Sequence, residues 1–172
     1  MRLADRLHQT RFASSANEAM LNVLVTASWL SGEISQSLSE HGLTMAQYNA
    51  LRILRGSHPE RLTCTAVGER LLDRTPDVTR LLDRLERAGL AERVRAEHDR
   101  RVVHVGITPQ GLRLLGAAQP AMADLETRLA AIATPDEFAT LSALLERLRE
   151  AEATVSAGAA AAGAAPAGTA AR

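Results

Sequence analysis

Arg80, Arg84 and Arg87, with Arg74 just upstream, lie in the run RTPDVTRLLDRLERAGL at 74–90, three or four residues apart from Arg80 onward. A guanidinium fork at such spacings can hold phosphate oxygens or the acceptor edge of guanine. A second group follows at Asp99, Arg100 and Arg101, at the junction of two short β runs, the second of them β-branched. An arginine at the tip of a hairpin suits the narrow, strongly negative minor groove of DNA, and Asp99 would hold such an arginine in place. Residues 52–101 carry 12 arginines against nine acidic groups, net +3, while the remainder is net −3. Nucleic acid is therefore the partner to test first.

The elements that must position these groups are readable locally. Thr75 as N-cap and Pro76 at the first helical position predict a helix start. Val78, Leu81, Leu82 and Leu85 recur at i, i+3, i+4 and i+7, a single buried stripe. The opposite face centres on Pro76, Arg80, Asp83 and Arg87, flanked by Thr79 and Arg84, with Asp77 near the start. Gly89 followed by Leu90 fits a left-handed C-terminal cap with its trailing apolar contact. Two β runs come next, Ala91–Arg95 and Arg101–Ile107. A short helix and turn from Leu62 precede the arginine helix. The order is that of a winged helix-turn-helix, which lays its second helix in the major groove while the hairpin reaches a neighbouring groove. Arg80 is then expected on guanine or a central phosphate, Thr79 and Asp77 near base edges or sugars, and Arg74 and Arg84 on phosphates. The competing reading is a solvated face in which these arginines pair with Asp73, Asp77, Asp83 and Glu86.

The flanks read as helices. Residues 1–14 form a polar lead-in. From Ser15 to Glu40, Ala16, Ala19, Met20, Val23, Ala27, Leu30, Ile34 and Leu38 make an apolar stripe that ends before Gly42. Thr44 with Gln47 is a capping box, with Leu43 and Tyr48 as its hydrophobic staple, and Gly56 to Pro59 break the chain. Thr108-Pro109 opens a further helix, with Leu112, Leu115, Met122, Leu125 and Leu129 on one side and a kink expected at Pro120. Thr134 to Glu137 is a second capping box, before a helix expected to turn Phe138, Leu141, Leu144, Leu145 and Leu148 inward. The boundaries are a lead-in at 1–14, a domain at 15–154 with its DNA-reading lobe at about 43–108, and an Ala/Gly-rich tail at 155–172 expected to be disordered.

Composition closes several alternatives. With four aromatic residues in 172, Phe12, Trp29, Tyr48 and Phe138, the core must be built from Leu, Val, Ile and Ala packed helix on helix. The absence of lysine reads chiefly as a codon bias toward arginine and alanine. One cysteine, Cys64, excludes an internal disulfide. Five histidines at 8, 41, 58, 98 and 104 show no metal-ligand spacing, so neither metal nor cofactor is expected. There is no phosphate loop and no nucleophile–base constellation, which argues against an enzyme. No run is apolar enough to span a bilayer and the N-terminus lacks a signal core, so the expectation is a cytoplasmic protein without a membrane partner. The reading is a mainly α, sequence-specific regulator of double-stranded DNA; a winged-helix protein-interaction module is the alternative. Cys64, near the start of a helix where a thiol pKa falls, keeps a redox switch as a lesser reading.

Three segments resemble the MarR family of bacterial transcription regulators: LTMAQYNALRIL at 43–54, TPDVTRLLDRLERAGLAERV at 75–94 and DRRVVHVGITPQGLRLL at 99–115. The last carries an aspartate-x-arginine wing and a Thr-x-x-Gly helix start. The resemblance implies a homodimer whose N- and C-terminal helices interlock as the dimerisation region, on a near-palindromic operator. It implies repression, released by a small phenolic or lipophilic effector, and makes Arg101 the minor-groove residue. It places an effector pocket between the dimer helices and the DNA lobes, where Trp29, His41, Tyr48, Arg52 and Arg113 could line it. The sequence departs from the family pattern at Leu72-Asp73-Arg74, which replaces a glycine-containing turn, and at Gly68, inside a helix. Cys64 lies outside the first long helix, where oxidant-sensing members carry theirs.

Overall fold

The computed structural model describes residues 2–9, 11–73, 77–95 and 103–163. They form two compact units, Met1–Leu125 and Glu126–Arg172. The first holds α1 (Leu3–Leu7), α2 (Ser15–Ser39), α3 (Met45–Ser57), β1 (Leu62–Thr63), α4 (Cys64–Arg70), α5 (Val78–Arg87), β2 (Ala91–Arg95), β3 (Val103–Ile107) and most of α6 (Pro109–Ala130). The second holds the end of α6 and all of α7 (Pro135–Gly163).

Helix starts follow local chemistry. Ser14 caps α2, its Oγ accepting from the Asn17 N–H at 3.1 Å. The predicted box at α3 is complete: Gln47 N–H donates to Thr44 Oγ1 at 3.2 Å and Thr44 N–H donates to Gln47 Oε1 at 2.9 Å. Thr44→Ala removes one acceptor from an otherwise orphaned helix N–H, and is expected to cost about 1 kcal/mol in denaturant unfolding. The second box is present too, with Thr134 N–H on Glu137 Oε2 at 2.8 Å and Glu137 N–H on Thr134 Oγ1 at 3.3 Å. Hydrogen bonds from the Thr134 backbone and hydroxyl hold the Glu137 carboxyl below its ordinary pKa.

The core lies in the first unit. Leu38, Leu43, Tyr48, Ala50, Leu51, Leu54, Val67, Leu81, Leu82, Leu85, Leu90, Val105, Ile107, Leu115 and Ala118 are all buried in one cluster. It joins the end of α2 to α3, α4, α5, the sheet and the first half of α6. The sheet is antiparallel in the order β1-β3-β2. Ala91 pairs with Ile107 and Arg95 with Val103, while Leu62 pairs with Val105. β1 is an addition to the predicted two-strand hairpin. Two residues carry no alternation of their own, and Leu62 and Thr63 are extended because β3 offers them a free edge.

Two expectations need correction. The stripe on α2 is covered only toward its C-terminus: Leu38 is buried and Ile34 packs on the core, whereas Met20, Val23 and Leu24 are exposed. Phe138, Leu141, Leu144 and Leu148 of α7, expected inward, are exposed as well, at 36% to 61% of their surface. A period of 3.6 tells which side of a helix is apolar, not what covers it. Helix α6 runs on through Pro120 to Ala130. Beyond 154, α7 continues to Gly163, in keeping with the helix propensity of the alanine run, which includes Ala159–Ala162.

Candidate nucleic-acid interface

The arginine helix is α5, and its start differs from the predicted one. Its N-cap is Asp77, whose Oδ1 accepts from the Arg80 N–H at 3.2 Å. Thr75 and Asp77 are both good caps by type; with Asp77 the helix begins at Val78, two residues later than the Thr75-Pro76 pair predicted. Asp77 Oδ2 also lies 3.2 Å from Arg80 Nε, so the capping carboxylate orients the first arginine of the exposed face. Ahead of α5, Thr63 caps α4 by accepting from the Ala66 N–H at 3.1 Å. Gly68 is explained by the close approach of these helices: a Cβ there would sit 3.0 Å from Val78 Cγ2.

Around α5 three stripes follow one another at about 100° intervals. Leu81, Leu82 and Leu85 are buried, with Val78 packed against them. Thr79, Asp83 and Glu86 come next, and Arg93 of β2 lies along them. Its Nη1 hydrogen-bonds Asp83 Oδ1 and reaches Glu86 Oε2 at 3.1 Å, and its Nη2 donates to the Thr79 carbonyl at 3.2 Å. The Asp83 hydrogen bond, opposed by partial burial, raises the Arg93 pKa above its ordinary value. The third stripe is Arg80, Arg84 and Arg87, all exposed. With Asp83 they line a shallow groove of about 300 Å3. Among the described residues, Arg84 and Arg87 have no ion-pair partner.

Among the described residues, the alternative reading of this face, arginines neutralised by their acidic neighbours, therefore holds for Arg80 and not for Arg84 or Arg87. Asp83 and Glu86 are engaged from the other side. The Arg80–Asp77 pair is solvent-exposed, at 79% and 54% of the side chains, and such pairs contribute little. Exchanging Asp77 for a phosphate or guanine costs α5 little. Thr79 stands at the rim, exposed. Arg74, Thr75, Pro76, Asp99, Arg100 and Arg101 lie outside the described residues.

The residues assigned to an effector pocket are dispersed. Trp29 lines a cleft of about 290 Å3 between α1 and α2 with Arg2, Leu3, Arg6, Asn22, Val25 and Thr26. Tyr48 is buried in the core, with the Arg52 guanidinium 5.9 Å from its ring centroid. His41 is half-buried and Arg113 exposed. Cys64 is half-buried where α4 faces α5, in an open groove with Thr65, Gly68, Glu69, Val78 and Thr79. No three His, Cys, Asp or Glu side chains among the described residues could hold a metal ion.

Arg93, which sequence reasoning did not single out, and Gly111, which it noted only as part of a motif, carry the lobe's geometry. Arg93 gives no local signal, because its partners lie seven to 14 residues back across a turn. Gly111 belongs to the Thr-x-x-Gly motif, and its reason is spatial. Thr108 Oγ1 donates to the Gly89 carbonyl at 2.7 Å and accepts from the Gly111 N–H at 3.0 Å. This pins α6 on the left-handed turn at Gly89 (φ +69°), so closely that a Cβ on Gly111 would lie 2.2 Å from the Leu90 carbonyl oxygen.

Comparison with known proteins agrees with this geometry. A model of the MarR family matches residues 41–102. An uncharacterised HTH-type transcriptional regulator of Bacillus subtilis, YkoM, is 32% identical over 108 residues, 63% of this chain and 69% of that protein. The homoprotocatechuate degradative operon repressor of Escherichia coli is 29% identical over 109 residues, 63% of this chain and 72% of its own length. A crystal structure of a MarR transcription factor from Planctomyces limnophilus superposes with a TM-score of 0.61 at 35% identity, covering 79% of this chain and 98% of that one. With its winged helix, its exposed arginine stripe and these relatives, the chain belongs to the MarR family of DNA-binding transcriptional regulators.

Proposed function

We propose that this regulator is a homodimeric repressor that reads a near-palindromic operator, with half-sites about one turn or roughly 10 base pairs apart. The observation that carries the reading is the outward stripe of Arg80, Arg84 and Arg87 on a helix whose other two sides are fixed. Arg80, nearest the helix start, takes a guanine or a central phosphate, with Thr79 and Asp77 beside it. Arg84 takes phosphate, as would Arg74 ahead of the helix, with Thr75 and Pro76 beside the DNA at the helix start. The wing residues Asp99, Arg100 and Arg101 complete the surface, Arg101 in the minor groove. The dimer reading is supported by the uncovered leucines of α7 and by Met20, Val23 and Leu24 of α2. The operon repressor among its relatives supports repression over activation.

Release by a small phenolic or lipophilic compound is part of the same reading. The Trp29 cleft is where binding of such a compound would be sought, by its effect on melting temperature and on DNA affinity.

The test is fluorescence anisotropy with the chain's own upstream intergenic DNA. Arg80→Ala is expected to weaken binding about 10- to 100-fold and to blunt discrimination against scrambled DNA. Arg84→Ala should weaken both DNAs alike and lower the salt slope by about one. Wild-type affinity in both variants would remove α5 from the interface.

A further inference from the structure

We propose that Arg93 is a positioning residue for DNA reading: it fixes the rotation of α5 about its axis, and so determines how well the protein discriminates its operator. The inference rests on the DNA-reading role of α5 and names a residue outside the contact surface. Arg93 spans Thr79, Asp83 and Glu86, positions i, i+4 and i+7 of one stripe, from a strand beyond the turn that ends the helix. That stripe lies between the buried leucines and the open arginines. Leucine packing holds this rotation through shape, and apolar contact adds no directional bond to it. A fork held by two carboxylates and a carbonyl is directional, and its planar donors admit one arrangement.

The rest of the site makes this rotation matter. Arg80, Arg84 and Arg87 meet DNA from the neighbouring stripe, about 100° further round. A helix residue at the surface stands roughly 5 Å or more from the axis. A turn of about 10° then displaces an arginine tip by about 1 Å, enough to spoil a bidentate contact with a base edge while leaving a phosphate contact usable. Loss of the clasp should therefore cost sequence discrimination more than general affinity. The partial burial of Arg93, 21% of its side chain exposed, separates it from the solvent-facing arginines that touch DNA directly.

The distinguishing variant is Arg93→Lys, which keeps the charge and loses the planar fork. Binding of the full chain is measured on its upstream intergenic DNA and on a scrambled duplex of equal length, over a salt series. The expected result is a fall of about tenfold in the affinity ratio between the two DNAs, with the scrambled-DNA affinity and its salt slope unchanged. A residue that only stabilises the fold would lower the melting temperature and leave that ratio intact below it. Arg93→Gln with Asp83→Asn and Glu86→Gln removes the uncompensated carboxylates together with the fork, and the same loss of discrimination is expected. Full discrimination by Arg93→Lys, or its recovery in the triple variant, would overturn the proposal. If the wild-type protein itself fails to prefer its upstream DNA, the DNA-reading role fails first and independently.

Discussion

Gly111→Ala is expected to destabilise the first unit by about 3 kcal/mol, near the upper end for a single overpacking substitution, and to lower Tm by about 10 °C. The added methyl would stand 2.2 Å from the Leu90 carbonyl oxygen and 2.8 Å from Ile107 Cγ1. The first neighbour is backbone, so no side-chain rotation relieves the overlap. α6 would have to lift from the turn between α5 and β2, stretching the Thr108 hydroxyl bonds to Gly89 and Gly111. Gly116→Ala, five residues along the same helix, provides the contrast. A Cβ there meets nothing within 4 Å. It should stabilise by about 0.5–1 kcal/mol through the lower entropy of alanine in the unfolded chain. Equal stability of the two variants in thermal or denaturant unfolding would contradict the packing described here.

The second large effect concerns assembly. Leu141→Glu with Leu144→Glu places two charges on the apolar face of α7, where the leucines are 50% and 49% exposed in the single chain. Within one chain the cost is small, because neither side chain is packed into the core. If that face meets its copy, burying two carboxylates without partners should leave a monomer in sedimentation or light scattering. Two half-sites can then no longer be held together, and operator affinity should fall about 100-fold. A wild-type mass for the double variant, or a monomeric wild-type protein, would remove α7 from the dimer reading.

What the sequence made legible was whatever its own neighbours decide. Both capping boxes, at Thr44 and at Thr134, pair as expected, since three residues suffice to make them. The leucine stripe of α5 is buried as its spacing required. The cap at Asp77 was missed because Thr75, Pro76 and Asp77 all favour a helix start, and neighbours alone do not rank them. Coverage was not legible either: the same periodicity that buries Leu82 leaves Leu141 exposed. The roles of Arg93 and Gly111 depend on groups brought together by the β2–β3 sheet and the turn at Gly89; the Thr-x-x-Gly spacing marks Gly111 but not the Leu90 carbonyl it packs on, and no spacing marks Arg93. Of the residues assigned to DNA, Arg80 and Arg84 stand outward as required, while Asp77 proved to be a cap as well.

The central claim, that the arginine stripe of α5 reads a specific operator, is tested most directly by one experiment. Purified wild-type protein and Arg80→Ala are titrated onto the upstream intergenic DNA across a salt series, with scrambled duplex as competitor. The account predicts tight, competitor-resistant wild-type binding that weakens steeply with salt as phosphate contacts release counterions, and loss of the competitor resistance in the variant. Weak binding that is indifferent to sequence and unchanged by Arg80→Ala would contradict it, and would point to a protein partner for the winged helix instead.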